Sequence, residues 1–322
     1  MLKVVIIGYG EMFTNLISAT LDADCKIVGI LRQETIKYHP IISKLKDIIN
    51  PSLEYNYIKS YGLPEIKNIK SVNSDEFRKL LIKLNPDIVL VGSWSEKFDK
   101  ETYDIPKIAT INAHPSLLPK YRGPNPYFWV INNMEKITGV TLHIMDSKFD
   151  SGAILAQEIV KIKPNDTGES LKKRTVLALR GLARELLKSL KDDIIIPLKQ
   201  IEEKSSYFSY PSDLMLDFNQ SAKANFAKIR AIYPWGKTYF YHNNTLLTPN
   251  PHKISIEDNK STYKEAGTII DCDINTKSLS ILCNDNQVIK MSDVNLYNKY
   301  DKIFTKNYFR REITNGDIIK NT

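Results

Sequence analysis

Short runs of apolar residues recur along the first half of the chain, and more polar stretches separate them. The runs lie at residues 3–8, 26–31, 87–92, 108–114 and 138–145. Apolar runs of this length are typical of strands that are buried on both faces of a sheet. Helical patterns lie between some of the runs, so this half predicts an α/β fold with a Rossmann-like, mostly parallel sheet.

Two amphipathic helices are predicted from the spacing of apolar residues. Over residues 74–84 they recur every three or four positions, and Ser74 stands where an N-cap belongs. Over residues 166–190 a longer apolar stripe follows, with Asp166 and Glu169 at the spacing of a capping box. The segment from 32 to 73 has no clear period and receives no assignment.

The pattern changes after Pro197, and from about residue 207 the apolar segments become short and alternating. They lie at 237–242, 252–256, 267–272, 278–283 and 287–294, with turns between them. Short alternating strands with regular turns are typical of a small barrel. The sequence therefore predicts an α/β domain at 1–200 and a C-terminal, OB-like β-barrel domain at 207–322.

Composition narrows the choice of protein class only a little. The 322 residues suggest two domains, and 42% hydrophobic with 25% charged residues is ordinary for a globular protein. No apolar run is long enough to span a membrane, and the N-terminus lacks a signal-peptide cleavage site, so we expect a cytoplasmic protein. The net charge of +8 allows an anionic partner, and the three cysteines have no metal-ligand spacing.

Gly8 and Gly10 follow the first strand and raise the alternative of a dinucleotide-binding turn. That fingerprint needs a third glycine for close packing of helix and strand, and Phe13 stands in its place. The acidic residue expected after the second strand is also missing, because Arg32 stands there. We therefore expect a tight turn into a helix at this point.

The side chains suited to catalysis are concentrated around residues 108–152. Asn112 and His114 are two residues apart on a strand, so their side chains project to the same side, and Pro115 ends the strand. Active sites of α/β proteins are built at such carboxyl ends. Asp150 lies in a turn after the next strand and reaches His114 if the two strands are neighbours. Taken singly, each of these residues is more often structural.

Four segments of this region carry a family resemblance: Asn112-Ala113-His114-Pro115-Ser116-Leu117-Leu118-Pro119, Tyr121-Arg122-Gly123, Thr138-Gly139-Val140-Thr141 and Asp150-Ser151-Gly152. They resemble the folate-dependent formyltransferase family, which includes methionyl-tRNA, glycinamide ribonucleotide and amino-sugar formyltransferases. Residues 229–235 also resemble the start of the C-terminal domain in its longer members. The resemblance implies a formyl donor, 10-formyltetrahydrofolate, and a catalytic set of Asn112, His114 and Asp150.

The resemblance also implies where the two substrates bind. The walls of a mostly apolar folate cleft are expected from Gly92, Ser93, Trp94, Ile144, Met145 and Asp146, and the acceptor site from Ser116, Leu117, Leu118, Arg122 and Tyr127. The peptide bond between Leu118 and Pro119 is expected to be cis. No metal is expected, because one histidine, an asparagine and a distant aspartate are a poor ligand set.

Formyl transfer to an amine requires donors for a developing oxyanion and a route for a proton. The amide of Asn112 and an imidazolium form of His114 are the expected donors. We expect the carboxylate of Asp150 to raise the pKa of His114 and to accept the proton of the amine.

The acceptor is left open between two classes of amine. A nucleotide-linked amino sugar is favoured, because residues 31–52 lack the glycine-rich basic loop of the tRNA-acting members. The aromatic residues 127–129 suit stacking on a base or sugar, although they could instead pack the helix that starts there. Methionyl initiator tRNA is the alternative, supported by the basic charge and the small β domain. An inactive binding module is the third reading, opposed by the complete catalytic set.

Overall fold

The chain divides into two units in a computed structural model that describes residues 1–33, 42, 45, 47, 49–192, 195–297 and 302–319. The first unit comprises Met1–Pro126, Ile137–Lys161 and Lys172–Ser209, and the second comprises Tyr127–Lys136, Ile162–Leu171 and Tyr210–Thr322. The stretch compared above with the basic loop of the tRNA-acting members lies mostly outside the described residues. Among the helices of the described part, none is long and apolar enough to cross a bilayer.

Residues 3–191 alternate strands and helices. In chain order the elements are β1 (Lys3–Gly8), α1 (Gly10–Asp22), β2 (Lys26–Arg32), α2 (Leu53–Ser60), α3 (Asp75–Leu84), β3 (Ile88–Gly92), α4 (Lys100–Tyr103), β4 (Ala109–His114), α5 (Pro126–Asn132), β5 (Ile137–Ile144), β6 (Ile154–Lys161) and α6 (Gly168–Lys191).

Six of the described strands form one sheet in the order β2-β1-β3-β4-β5-β6. The first four in this order pair in parallel, whereas β5 and β6 run antiparallel to their neighbours. The predicted α/β fold with a mostly parallel sheet is confirmed, and each predicted strand of this unit is present. Strand β6 was not predicted, because it lies at the edge of the sheet and its mostly exposed or half-buried residues form no apolar run.

Successive residues of the central strands face two different cores. Val4 of β1 belongs to one apolar cluster together with Leu16 of α1, whereas Val5 belongs to another together with Phe77 of α3. Because both faces of the sheet are covered, the sequence of the strand is a continuous apolar run and does not alternate between apolar and polar residues. Helix α3 begins as predicted, with the side chain of Ser74 accepting the N–H of Phe77.

The start of α6 differs from the prediction by one residue. The N–H of Ser170 donates to the hydroxyl of Thr167 at 3.2 Å, and the N–H of Thr167 donates to the hydroxyl of Ser170 at 3.1 Å. The capping box predicted at Asp166 and Glu169 was therefore wrong. Asp166 accepts a hydrogen bond in the turn that precedes the helix, where its short side chain competes well for backbone N–H groups.

The turn after β1 is closed by groups of the chain itself. A Cβ atom on Gly8 would lie 2.1 Å from the carbonyl oxygen of Gly92, so only glycine fits there. The N–H of Gly10, at the first residue of α1, donates to a carboxylate oxygen of Glu54 at 2.5 Å. A dinucleotide phosphate would bind at this helix terminus, and a carboxylate of the protein takes its place. The expected tight turn into a helix is found.

The second unit contains antiparallel strands and two flanking helices. They are α7 (Ala222–Ile232), β7 (Phe240–His242), β8 (Thr245–Thr248), β9 (Ile254–Asp258), β10 (Ile269–Asp273), β11 (Ser278–Leu282), β12 (Gln287–Met291), β13 (Asn295–Leu296) and α8 (Lys302–Glu312). The described strands form two sheets, in the orders β10-β11-β12-β9 and β13-β8-β7. Both sheets contribute to one apolar core that includes Phe240, Ile281 and Phe309.

Candidate active site

The carboxyl end of β4 presents two polar side chains. Asn112 and His114 alternate along the strand with buried core residues such as Ile111. Antiparallel pairing with β5 places His143 directly opposite Asn112. The two strands are therefore neighbours, which is the condition under which Asp150 was expected to reach His114.

Asp150 completes the cluster from the turn after β5. Its Oδ1 lies 3.3 Å from Nδ2 of Asn112 and 3.5 Å from both Nδ1 of His114 and Nε2 of His143. Its Oδ2 accepts a hydrogen bond of 2.9 Å from the backbone N–H of Gly123. The structure thus brings the three expected catalytic residues together and adds a second histidine to them.

The carboxyl group of Asp150 is ionised in this environment. Burial alone would raise its pKa, but electrostatic interactions with His114 and His143 and the hydrogen bond from the N–H of Gly123 outweigh burial and lower the pKa well below its ordinary range. The residue adopts a left-handed backbone conformation, with φ of 55°, which aspartate tolerates better than most residues. A carboxylate that stays ionised in this way stabilises a positive charge on a neighbouring group.

His114 is neutral, which corrects the expectation of an imidazolium. Burial lowers its pKa below the ordinary 6.5, and the charge of Asp150 and the hydrogen bond to Tyr121 oppose this effect only in part. Its Nε2 lies 2.8 Å from the carbonyl oxygen of Tyr121. Because a carbonyl oxygen only accepts, Nε2 carries the hydrogen and Nδ1 turns its lone pair toward Asp150. The ring is therefore a base rather than a donor.

His143 is a site residue that the sequence analysis missed. Its Nδ1 lies 2.9 Å from the carbonyl of Ile144, so this nitrogen carries the hydrogen, and its Nε2 lies 3.2 Å from Nδ2 of Asn112. The alternation of β5 would have placed His143 on one face, but the register against β4 had to be known. Within the described residues no group of three His, Cys, Asp or Glu side chains has the arrangement of a metal site.

The loop after β4 contains three of the residues expected to bind the acceptor, and its polar groups hold the loop itself. The hydroxyl of Ser116 donates to a backbone carbonyl of the same loop at 2.8 Å, and the N–H of Leu118 donates to the hydroxyl of Thr141 at 3.2 Å. Leu117 packs so closely on Gly139 that a Cβ there would lie 2.4 Å from its Cδ2. The peptide bond after Leu118 is cis, as expected.

Arg122 was expected to meet a phosphate or carboxylate of the acceptor, and the structure gives it partners within the chain instead. Its guanidinium is buried and donates to Oε1 of Gln200 at 2.8 and 3.2 Å. It also donates to both carboxylate oxygens of Glu202, at 2.9 and 3.0 Å. A guanidinium bonded in this way holds the segments that carry Gln200 and Glu202 against the loop after β4.

The residues expected to form the folate cleft follow β3 and β5, the two strands that lie on either side of β4 in the sheet. Gly92, Ser93 and Trp94 lie at the end of β3 and just after it, and Ile144, Met145 and Asp146 lie at the end of β5 and just after it. The side chains of Trp94 and Met145 pack against the same apolar cluster. The indole N–H of Trp94 is buried and has no hydrogen-bond partner among the described residues, so this wall can offer a donor to a ligand.

Tyr127, the last residue expected to bind the acceptor, belongs to the second unit. Its side chain is buried, and its ring stacks on that of Trp235 with centroids 5.6 Å apart and planes 13° apart. The neighbouring Phe128 is buried as well. These aromatic residues pack their own unit, which is the structural alternative considered above.

Two family models match this chain. The model described as formyl transferase matches residues 2–179, and the model described as formyl transferase, C-terminal domain, matches residues 209–302. The first match covers both strands that carry the cluster, and it includes Asn112, His114, His143 and Asp150.

Relatives of known name span most of the chain. The bifunctional polymyxin resistance protein ArnA of Wigglesworthia glossinidia brevipalpis is 31% identical over 92% of this chain, which spans 44% of the length of that relative. The methionyl-tRNA formyltransferase of Clostridioides difficile is 28% identical, with 92% of this chain and 93% of the relative covered.

Solved structures share the fold at lower identity. An N-formyltransferase from Helicobacter canadensis, in complex with folinic acid and dTDP-3-aminofucose, matches with a TM-score of 0.66 at 20% identity over 91% of this chain and 99% of its own. The sugar 3N-formyl transferase WlaRD matches with a TM-score of 0.64 at 20% identity over 93% and 99%. With one family model covering more than half of its residues, the chain belongs to the formyl transferase family and is a formyltransferase enzyme.

Proposed function

We propose that this enzyme transfers the formyl group of 10-formyltetrahydrofolate to the primary amine of a nucleotide-linked amino sugar. The observation that carries the chemistry is the cluster of an ionised Asp150 and a neutral His114 at the end of β4, with the amide of Asn112 beside them. An anionic carboxylate that faces a ring lone pair forms a site for one additional proton. Transfer to an amine requires such a site.

The proton balance of the reaction fits this cluster. The amine nitrogen bonds to the formyl carbon and loses a proton, the bond between that carbon and N10 of the folate breaks, and N10 takes up a proton. Asp150 attracts the released proton, and Nδ1 of His114 lies close enough to share it. As the reaction proceeds the same pair can return the proton to the leaving nitrogen.

Asn112 is the proposed donor to the developing oxyanion. Its amide nitrogen bonds to His143 and Asp150 at 3.2 and 3.3 Å, which are long hydrogen bonds. A formyl oxygen that becomes negative competes for one of these N–H groups, because hydrogen bonds to charged acceptors are stronger. Loss of one oxyanion donor typically costs about 3 kcal/mol of barrier stabilisation.

Binding of the folate donor is supported by the residues that follow β3 and β5. Trp94 and Met145 present apolar surface there, and the unpaired indole N–H supplies a polar contact. A few placed polar groups within apolar walls are typical of small-molecule clefts. These features suit a pterin ring, which combines a flat face with polar edges.

The choice between an amino sugar and initiator tRNA as acceptor depends on which named proteins this chain is similar to. Of the two solved structures described above, one is named a sugar 3N-formyl transferase and the other contains dTDP-3-aminofucose, and each match covers 99% of the solved chain. The alternative, initiator methionyl-tRNA, is favoured by the Clostridioides relative, which is covered over 93% of its length, and by the net charge of +8. The aromatic residues 127–129 no longer bear on this choice, because they pack their own unit.

A direct test compares both acceptors with the same donor. The purified full chain would be incubated with 10-formyltetrahydrofolate and either a panel of dTDP-linked 3- and 4-amino sugars or charged initiator tRNA, and release of tetrahydrofolate would be followed. We expect turnover with an amino sugar and little change between 50 and 200 mM salt. Turnover on tRNA alone, with a loss of about 10³-fold or more in affinity over that range, would overturn the acceptor assignment. No turnover with either acceptor would overturn the proposed function.

A further inference from the structure

A connecting segment, residues 198–208, runs along the loop that follows β4 within the first unit. The N–H of its Ser206 donates to the carbonyl of Pro119 at 3.2 Å. The hydroxyl of Ser206 accepts the N–H of Tyr121 at 2.9 Å. The carbonyl of Tyr121 is the group that bonds to Nε2 of His114, so the segment supports the part of the loop that fixes this ring.

Gln200 is a residue of this segment that bonds directly to a member of the cluster. Its side chain is buried, and its amide NH₂ donates to the carbonyl of Asp150 at 2.8 Å and to that of Gly152 at 2.7 Å. Its Oε1 accepts two hydrogen bonds from the guanidinium of Arg122. Since the two carbonyls only accept and a guanidinium only donates, the orientation of the amide is fixed and all its bonding capacity is used.

The bonds of Gln200 support a turn in which Asp150 has a left-handed backbone conformation. Asp150 has φ of 55°, a left-handed conformation that a residue with a side chain keeps only when its surroundings impose it. The amide of Gln200 bonds to the backbone at Asp150 and again two residues later, on both sides of the turn. The guanidinium of Arg122 donates to the oxygen of this amide and also forms an ion pair with Glu202.

We infer that Gln200 is a positioning residue for formyl transfer, which holds the turn after β5 so that the carboxylate of Asp150 faces His114. The inference rests on the proposed function, in which that carboxylate attracts the proton of the amine. Gln200 touches no reacting atom. Its effect passes through the backbone of Asp150, and misplacement of a catalytic group by about 1 Å can cost about 100-fold in rate.

The first test compares three variants of the same segment. Gln200→Ala removes every hydrogen bond of the amide. Gln200→Glu keeps an oxygen that accepts from Arg122, but its second oxygen replaces the NH₂ donor and faces two backbone carbonyls that only accept. We expect both to lower kcat by about 10- to 100-fold with KM for the folate donor nearly unchanged. Lys199→Ala is the matched control, because the neighbouring Lys199 is exposed and takes no part in these hydrogen bonds, and it should retain wild-type kcat.

The second test separates positioning from a general loss of structure. NMR titration of the His114 imidazole in Gln200→Ala should give a lower pKa than in the wild type, because the charge of Asp150 no longer opposes the effect of burial. Combining Gln200→Ala with Asp150→Asn should cause no further loss of kcat beyond Asp150→Asn alone. An unchanged titration of His114, or losses that multiply in the double variant, would overturn the inference. The titration needs no acceptor, so it decides this point even if the proposed function fails.

Discussion

Each unit of the chain contains a buried histidine beside an aspartate, and the two pairs differ in how fully they are bonded. In the second unit, Nδ1 of His242 lies 2.9 Å from the hydroxyl of Tyr308, and its Nε2 lies 3.2 Å from Oδ2 of Asp317. Asp317 also accepts the N–H of Thr314 at 2.8 Å. In the first unit, Oδ1 of Asp150 has three neighbours, all at 3.3 to 3.5 Å.

The difference separates a structural pair from one suited to chemistry. The hydroxyl of Tyr308 donates to the carbonyl of His242 at 2.8 Å, so every polar atom of that ring and hydroxyl has a partner within 3.2 Å, and the group connects α8 with β7. Oδ1 of Asp150 meets its three side-chain neighbours at 3.3 to 3.5 Å, and Nδ1 of His114 carries no hydrogen. Catalytic hydrogen bonds in the absence of substrate are often long in this way. The same residue types therefore have different roles because their partners differ.

The largest effect is expected from Asp150→Asn, which removes the negative charge but keeps the shape. Turnover should fall by about 10²- to 10⁴-fold, because the amine loses its proton acceptor. The pKa of His114 should also fall further, since the charge that opposes burial is gone. Single-turnover rates and NMR titration of the imidazole measure the two effects. Wild-type turnover in a folded variant would contradict the assignment of this pair to chemistry.

A smaller loss is expected from Gly123→Ala, which disturbs the bond between the loop and Asp150. Gly123 has φ of 94°, and an added Cβ would lie 2.3 Å from the carbonyl oxygen of Phe208, so the backbone must move and its N–H must leave the carboxylate. We expect about a 10- to 100-fold lower kcat and about 1–3 kcal/mol less stability. Gly62 also has a left-handed backbone, with φ of 58°, but open space around it. Gly62→Ala should therefore lose stability alone.

The pH profile should place the acidic limb of kcat/KM below the ordinary histidine range. His114 has a pKa below 6.5, so its basic form is complete at neutral pH and is lost as the pH falls through the lowered value. Over the same interval stability decreases as well, because the unfolded chain binds a proton that the folded ring resists. Initial rates between pH 5 and 8 test this expectation. An acidic limb above 6.5 would show that the pKa of His114 is raised, and a rate that falls as the pH rises through the histidine range would show that the imidazolium is the active form.

The smallest effect on transfer is expected from Asp317→Ala in the second unit. Burial would raise the pKa of Asp317, but hydrogen bonds from Thr314 and His242 lower it below the ordinary 3.8. Its stabilising effect is therefore present above that pH and is lost as the pH falls through the lowered value. We expect about 1–3 kcal/mol less stability at pH 7 with unchanged kcat, measured by urea unfolding and turnover. A loss of kcat at unchanged stability would make this pair a second functional site.

Much of the site could be predicted because its signals are local. Two polar residues with a spacing of two before a proline predict a shared face at the end of a strand, and Asn112 and His114 lie there. Ser74 predicts the start of α3 for the same reason, since the hydrogen bond that caps a helix spans three residues. His143 and Gln200 carry no such signal. They reach the cluster through strand register and through a segment about 50 residues away from Asp150 along the chain.

By itself, the sequence determined the family, the α/β sheet with its second β domain, and three residues suited to acyl transfer, because these follow from periodicity and from an ordered motif. Only the tertiary structure decided the protonation of His114, because the competition between burial and the charge of Asp150 depends on distances across strands. It also decided that Arg122 bonds to Gln200 and Glu202. Hydrogen bonds between distant segments depend on how the chain packs, and no local pattern encodes them.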